Sequence, residues 1–260
     1  MSDPTQTART AAPAKKQRVS LIFLSLLLVF AVLGVELAIG RGGMVGVFAF
    51  VFVGWIISLC LHEFGHAFTA WFGGDRSVAE LGYLTLNPLR YANPLMSIVL
   101  PLVFLAIGGI GFPGGAVYVN QHALRGRIWR AAVSAAGPAM NVLCLIVIAL
   151  GLHFAAPGSS LAGALAFLGL LQATAILLNL LPIPGLDGFT ILMAAAPEKE
   201  RDAIAPISRI ASILFLVLIY SYPPLLTPIW NVALRLCLLL GIGGEDIGNG
   251  YDLFQFWSQN

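Results

Sequence analysis

The sequence predicts an all-α, polytopic membrane protein. Hydrophobic residues make up 58% of the 260-residue chain and charged residues only 10%, whereas a soluble domain carries about a quarter charged residues. Several apolar runs reach the length of about 20 residues that a membrane-spanning helix needs. Backbone groups in lipid must be paired within their own segment, and the alternation typical of barrel strands is absent, so we expect helices.

Six apolar segments are expected to form the membrane-spanning helices, and they cover about residues 19–39, 44–72, 130–155, 161–189, 203–221 and 225–241. Residues 95–112 are also apolar, but Pro101 and several glycines interrupt them. We therefore expect this run to re-enter the membrane from one side rather than to cross it. Residues 78–86 partly alternate apolar and polar side chains, which predicts a short β element.

The polar ends of the chain are predicted to lie outside the membrane domain. Residues 1–18 are rich in Ala, Thr, Pro and Lys, and we expect a disordered cytoplasmic tail. The following apolar run is too long for the core of a cleaved signal peptide and is expected to remain as the first helix. We expect residues 19–241 to form a single membrane-embedded domain with its core at 44–190, and residues 242–260 to form a cytoplasmic C-terminal tail.

The basic residues favour a cytoplasmic N-terminus, because lysine and arginine concentrate on the cytoplasmic side of membrane proteins. If residues 95–112 re-enter, only Arg41 lies outside and Arg235 lies within the last helix. If they cross, the basic cluster at 125–130 moves to the outside. The distribution fits a multi-pass protein of the cell membrane, with a bacterial plasma membrane as the expected location.

Net charge and cysteine spacing exclude some kinds of partner and site. The net charge of +2 gives no electrostatic footprint for nucleic acid. The apolar runs make the lipid bilayer the expected partner. Cys60, Cys144 and Cys237 stand isolated in apolar runs, without the spacing of a zinc knuckle or a disulfide frame. We expect all three to be packing residues.

The strongest chemical signal is the segment His62-Glu63-Phe64-Gly65-His66. Histidines four residues apart lie on one helix face, about one turn apart, so both imidazoles can reach one zinc ion. Glu63 beside them can take the proton of an attacking water molecule. Polar side chains inside an apolar helix are costly unless they are paired, so the cluster indicates a zinc site. The alternative is a polar core without metal.

A catalytic zinc site needs a third protein ligand, and Asp187 is the best candidate. It stands in the segment 179–188, where two prolines and two glycines break a helix at membrane depth. Broken backbone is tolerated there only if it is buried or lines a wet cavity. Asp187 and the motif glutamate together also balance the charge of zinc. We expect Glu36, His122 and His153 to be interfacial residues instead.

Two asparagines near these motifs have two interpretations each. Asn179, at the start of the break, could donate a hydrogen bond to the oxyanion that forms when water attacks a carbonyl group. It could equally hold the break in shape through a hydrogen bond between helices. Asn141, in the segment Gly137-Pro138-Ala139-Met140-Asn141, could face the site, but we favour a packing role for this small-residue segment.

Together, these motifs resemble those of the site-2 protease family of intramembrane zinc metalloproteases. The matching segments are His62-Glu63-Phe64-Gly65-His66 with Ala70, the Gly-Pro-x-x-Asn element at 137–141 and Asn-x-x-Pro-x-Pro-x-Leu-Asp-Gly at 179–188. The resemblance implies one zinc ion per chain, with His62, His66 and Asp187 as ligands. It also implies Glu63 as the general base and Asn179 as the donor that stabilises the transition state. It further implies a core of three helices with zinc below the cytoplasmic surface, in a minimal member without a PDZ or CBS domain.

The expected function is zinc-dependent hydrolysis of peptide bonds in transmembrane protein substrates, within or at the edge of the bilayer. The segment 78–86 could offer an edge to which an extended substrate adds. The main alternative is a catalytically silent metal-binding scaffold, which the presence of Glu63 argues against. A transporter with broken helices and a zinc hydrolase of small molecules are further alternatives. The absence of paired repeats speaks against the transporter, and the family resemblance speaks against the small-molecule hydrolase.

Overall fold

The computed structural model describes residues 18–91, 117–255 and 257. Within these ranges the α-helices, numbered in chain order, are α1 (Leu21–Ala38), α2 (Gly43–Gly73), α3 (Ser77–Glu80), α4 (Arg127–Leu152), α5 (Ser160–Asn179), α6 (Asp187–Met193), α7 (Glu198–Ser221), α8 (Thr227–Leu239) and α9 (Gly244–Phe254). Short 3-10 turns lie at Tyr83–Thr85, Pro88–Arg90, Gln121–Ala123 and Pro223–Leu226. The all-α prediction is confirmed for the described part of the chain.

Four of these helices, α1, α2, α4 and α5, are long and apolar enough to cross a membrane. The segment Pro223–Leu239 and helix α9, which meet at a bend of 119°, make a fifth candidate if the bent pair counts as one span. The predicted count of six is therefore not supported. The expected helix at 225–241 is the 13-residue α8, which rises only about 20 Å along its axis, less than the roughly 30 Å of the hydrocarbon core. Residues 95–112 and 1–17 lie outside the described residues.

The β element predicted at 78–86 is wrong, because this segment forms α3 and a 3-10 turn. The side chain of Asp75 accepts a hydrogen bond from the backbone N–H of Ser77 at 3.0 Å, which supports the first turn of α3. Gly82 (φ 79°) and Leu86 (φ 58°) then adopt the left-handed conformation. A strand cannot pass through two left-handed residues, so the partial alternation of side chains does not produce an extended backbone.

Helix α5 lies at the centre of the bundle, where α2, α4, α8 and α9 pack around it. Its N-terminus is capped by Ser159, whose hydroxyl accepts a hydrogen bond from the N–H of Ala162 at 3.1 Å. Helix α9 crosses α5 at close range: a Cβ on Gly163 would lie only 3.0 Å from the backbone nitrogen of Gly250. The segment 242–260, predicted as a C-terminal tail, thus contains a helix whose Phe254 is completely buried. Its cytoplasmic location stays a prediction.

The helix predicted over 161–189 ends ten residues early, at Asn179. Pro182 and Pro184 cannot donate backbone hydrogen bonds, and the chain resumes as the short helix α6 at Asp187. The turn is tight, because a Cβ on Gly188 would lie 2.7 Å from the carbonyl oxygen of Leu181. The break therefore sets Asp187 at the first position of a helix that packs against α4.

Candidate metal centre

Helices α2 and α4 approach each other closely at the level of the histidine pair. A Cβ on Gly65 would lie 2.7 Å from the carbonyl oxygen of Ala136, and a Cβ on Gly137 would lie 2.5 Å from Nε2 of His62. Glycine at both positions lets the α4 backbone pass beside the imidazoles. His62 and His66 are consequently buried, although each has a polar ring.

The three side chains predicted as zinc ligands come together in the structure. The Nε2 atoms of His62 and His66 lie 3.0 Å apart. Oδ2 of Asp187 lies 3.3 Å from Nε2 of His62, and Oδ1 lies 3.4 Å from Nε2 of His66. Ligands bound at about 2.0 Å around a tetrahedral zinc ion are separated by about 3.3 Å. The three distances are close to this value, so the two Nε2 atoms and the Asp187 carboxylate fit a single zinc ion.

The other ring nitrogen of each histidine contacts an oxygen atom on α4. Nδ1 of His66 donates to the backbone carbonyl oxygen of Val133 at 2.7 Å. Nδ1 of His62 lies 2.5 Å from Oδ1 of Asn141, a buried side chain. A hydrogen bond at Nδ1 fixes the tautomer and the ring orientation, and it leaves the lone pair on Nε2 for a metal. Asn141, for which we favoured a packing role, instead contacts a predicted ligand.

Asn141 belongs to a buried polar network that the sequence did not reveal. Its Nδ2 donates to Oε1 of Gln172 on α5 at 2.8 Å, and Nε2 of Gln172 donates to Oγ of Ser58 on α2 at 2.9 Å. The hydroxyl of Ser58 donates to the carbonyl oxygen of Trp55 at 2.8 Å. Gln172 is fully buried. An amide in an apolar helix carries a signal of its own, because such groups need a partner in lipid, but its partner cannot be read from the sequence.

Glu63 follows His62 directly in α2 and lies beside the histidine pair. Its side chain is buried, and Oε2 accepts a hydrogen bond from the backbone N–H of Val117 at 3.0 Å. Residues 117–120, called the strap below, are also held at their other end. At that end, the N–H of Asn120 donates a hydrogen bond to the side chain of Asp75 at 2.8 Å. These two contacts could not be predicted from the sequence, because Val117 and Asn120 participate through their backbone.

A cavity of about 370 Å³ adjoins the ligand group. The three predicted ligands line it, as do Glu63, Asn179 and residues of the strap. Asn179 is the last residue of α5 and is buried. The structure therefore brings all five predicted site residues to one cavity: His62, Glu63, His66, Asn179 and Asp187.

The other acidic and histidine side chains considered as ligands lie elsewhere. His122 forms an exposed ion pair with Glu198, with a distance of 2.7 Å between Nδ1 and Oε1. Nδ1 of His153 donates to the carbonyl oxygen of Ala149 at 2.9 Å. Glu36 lies on the peripheral helix α1. Among the described residues, these three belong neither to the group of ligand atoms nor to the cavity lining.

Comparison with known proteins places the chain in a family. It is 44% identical over 216 residues to the protein named "Putative zinc metalloprotease Rip2" of Mycolicibacterium smegmatis, and the match covers 82% of this chain and 83% of that protein. The protein of the same name from Mycobacterium tuberculosis strain H37Rv is 45% identical over 215 residues, which cover 82% of each chain. "Putative zinc metalloprotease YwhC" of Bacillus subtilis is 29% identical over 174 residues, covering 63% of this chain and 76% of YwhC. No family model and no solved structure matches the chain.

The apolar helices, the ligand group and these relatives define a multi-pass membrane zinc metalloprotease. The chain belongs to the site-2 protease family, as its three motifs indicated. Zinc is thus the metal that the family implies, and the residues present fit it. A further observation supports the fit: Oδ2 of Asp187 is buried and has no hydrogen-bond partner among the described residues. A bound metal ion would supply the partner that this oxygen lacks.

Proposed function

We propose that this protein is an intramembrane zinc endopeptidase that hydrolyses peptide bonds of transmembrane protein substrates. The observation that carries the proposal is the convergence of His62, His66 and Asp187, whose ligand atoms lie within 4.8 Å of one another. These residues come from two separate parts of the chain, α2 and the start of α6. Glu63 beside them provides the acid–base group that peptide hydrolysis needs.

In this proposal His62, His66 and Asp187 hold the zinc ion, and the cavity leaves room for substrate and water. When bound, zinc polarises a carbonyl group and makes a water molecule more acidic. The two neutral imidazoles and the carboxylate are the donor set of a catalytic zinc site with one open position. The two carboxylate oxygens lie 3.3 and 3.4 Å from the Nε2 atoms of His62 and His66, so all three side chains face the same point.

Glu63 acts as the general base and then as the general acid. It follows His62 directly in α2 and lines the cavity, so its carboxylate can accept the proton of the attacking water molecule and pass it to the leaving amine. The strap N–H of Val117 holds one carboxylate oxygen at 3.0 Å. The other oxygen remains available for the water molecule.

Asn179 stabilises the charge that develops on the carbonyl oxygen of the substrate. It lies at the end of α5, where the helix breaks, and its buried side chain lines the cavity. An amide N–H₂ in a site shielded from water is an effective donor to an oxyanion, because it is already oriented when the charge appears.

The surroundings of the site support a substrate that lies in the membrane. Helices α2, α4 and α5 surround the ligand group, and all three are candidate membrane spans. A peptide bond that reaches the cavity therefore approaches through a bundle of membrane helices. On the charge distribution, we propose that the N-terminus lies in the cytoplasm and that the protein resides in a bacterial plasma membrane.

The test compares the parent with a Glu63→Gln variant, each expressed in cells that lack the parent gene. We expect the variant to keep its zinc and to lose cleavage, because the amide has the size of the carboxylate but cannot accept a proton. The measurement is proteomics of the membrane fraction, with a search for fragments that begin or end near a predicted bilayer edge. Zinc content of the two purified proteins is the control.

The scaffold alternative gives the opposite result. A catalytically silent metal-binding protein that holds membrane segments would act equally well with glutamine at position 63. Identical fragment patterns from the parent and the Glu63→Gln variant, with zinc present in both, would therefore rule out the peptidase proposal.

A further inference from the structure

We infer that Gln172 is a positioning residue of the zinc site, which acts through Asn141 to fix the orientation and tautomer of His62. The inference rests on the zinc site of the proposed function. Its basis is the chain of buried hydrogen bonds that runs from the carbonyl oxygen of Trp55 through Ser58, Gln172 and Asn141 to Nδ1 of His62. This chain is called the relay below.

The direction of every hydrogen bond in the relay follows from its first member. The carbonyl oxygen of Trp55 can only accept, so the hydroxyl of Ser58 must donate to it. The lone pair of Ser58 then faces Gln172, whose amide must present its N–H₂ group to the serine and its oxygen to Asn141. Asn141 must in turn present its N–H₂ group to Gln172.

The end of the relay determines the state of the histidine. With its N–H₂ group engaged by Gln172, Asn141 presents only Oδ1 to the imidazole of His62. Nδ1 must therefore carry the hydrogen, and the lone pair lies on Nε2, the atom that faces His66 and Asp187. Without Gln172, the Asn141 amide could rotate and present its N–H₂ group instead, which would favour the opposite tautomer.

His66 does not need a comparable relay. Its Nδ1 faces the backbone carbonyl of Val133, which can only accept. The two ligands therefore reach the same tautomer by different routes, one through a fixed backbone group and one through side chains that could turn over. This difference explains why three polar side chains lie buried next to His62.

Gln172 is the member of the relay that does not line the cavity, so solvent cannot readily replace its amide. Gln172 is fully buried, and Asn141 and Ser58 are 3% and 4% exposed. Groups in the outer shell of a metal site typically contribute a factor of about 10 to 100 in metal affinity. A purely structural hydrogen bond between helices would instead contribute to stability and leave zinc affinity unchanged.

The experiment measures zinc affinity by chelator competition with the purified full-length protein in detergent. We expect Gln172→Met, which keeps the length of the side chain and removes its hydrogen bonds, to weaken zinc binding about tenfold. We expect Gln172→Glu to stay close to the parent, because the carboxyl oxygen still accepts from Asn141 and keeps its amide in place. Thermal unfolding of each metal-free protein shows whether the variants fold.

A matched control lies on the same helix. Thr174 is also buried, but its hydroxyl donates to the carbonyl oxygen of Leu170 within α5. Thr174→Val should leave zinc affinity unchanged. Ser58→Ala removes the other end of the relay in a small side chain, and it serves if Gln172→Met does not fold. We expect it to weaken zinc binding in the same direction.

The outcomes separate the inference from the proposal on which it rests. If the parent binds one zinc ion per chain and Gln172→Met binds it equally tightly, the positioning role is wrong while the ligand set stands. Equal losses in Gln172→Met, Gln172→Glu and Thr174→Val would also overturn it, since they indicate a structural role. A parent protein that holds no zinc would refute the ligand set itself.

Discussion

At the scale of single residues, the candidate metal centre depends on the lack of a side chain at Gly137. Gly137 brings the α4 backbone against the two imidazoles, and a Cβ there would lie 2.5 Å from Nε2 of His62. The rings cannot move aside easily, because each is held at Nδ1 by a group on α4. The space that glycine leaves is therefore part of the site.

We expect Gly137→Ala to reduce zinc affinity at least about tenfold, as the loss of a supporting group around a metal does. The methyl group would occupy the space where the ligand atoms meet. Chelator competition with the purified variant measures the effect. Gly248→Ala is the matched control, because it is an exposed helical glycine with no atom within 4 Å of the added Cβ. Equal zinc affinity in the two variants would contradict the close approach of α4.

The residues proposed for the site can be found from the sequence more easily than the residues proposed to orient them. His62, Glu63 and His66 are recognisable because a four-residue spacing has a direct geometric meaning on a helix, and Asp187 because a carboxylate on broken apolar backbone needs a reason. Gln172 and Ser58 could not be assigned in this way. Their role depends on which helices are neighbours, and nothing local to α2 or α5 encodes that.

At the scale of elements, the strap 117–120 joins Glu63 to the turn that follows α2. Val117 binds Glu63 at one end, and Asn120 binds Asp75 at the other. Asp75 is buried and also accepts hydrogen bonds from the N–H and the hydroxyl of Ser77, at 3.0 and 2.6 Å. One carboxylate thus holds both the start of α3 and the end of the strap.

We expect Asp75→Ala to lower the thermal midpoint and to slow cleavage while zinc content stays the same. The substitution removes the acceptor of three part-buried hydrogen bonds, and a hydrogen bond of this kind contributes about 0.5–1.5 kcal/mol. The strap loses one of its two anchors, so it holds Glu63 less firmly. Thermal unfolding measures the stability of the purified variant, the release of substrate fragments measures its cleavage, and zinc analysis shows that the metal content is unchanged.

Ser77→Ala is the control, because it removes only one of the three hydrogen bonds and does not touch the strap. If the Asp75→Ala variant matched the Ser77→Ala variant in both stability and cleavage, the strap would not depend on its Asp75 anchor.

The two errors in the predicted elements share a cause. In 78–86 the left-handed residues Gly82 and Leu86 override a partial alternation, and in 161–189 the proline pair ends the helix although hydropathy continues. Apolar runs indicate which segments enter the membrane, but they do not reveal where the backbone turns. Turn geometry depends on single residues, and a non-glycine residue at positive φ such as Leu86 has no sequence signal.

At the scale of the whole molecule, the chain is arranged around α5. In the most apolar 18-residue stretch of α5, 89% of the residues are buried, whereas in the corresponding stretch of α1 only 11% are buried. In a membrane protein such a gradient runs from a helix surrounded by protein to a helix surrounded by lipid. The site forms beside the central helix, where α2 and α4 shield it and where α5 ends in the break that carries Asp187.

The number of spans could not be predicted at this scale from hydropathy alone. Helix α8 is too short to cross by itself, and α9 turns back at 119° to pack on α5. Composition suggested a polar tail for the last 19 residues, yet Ile247 and Phe254 are buried against the bundle. A helix with one buried face and a polar overall composition gives a weak hydropathy signal but a stable packing position.

Zinc content is the measurement on which the ligand set depends, and we expect one zinc ion per parent chain in the purified protein. His62→Ala, His66→Ala and Asp187→Ala should each lose most of it, because each removes one of three ligands, while Glu63→Gln should retain it. The Asp187 variant decides the matter, since this residue comes from a different part of the chain than the histidines. Full zinc content in the folded Asp187→Ala variant, or a parent chain without zinc, would contradict the three-ligand site.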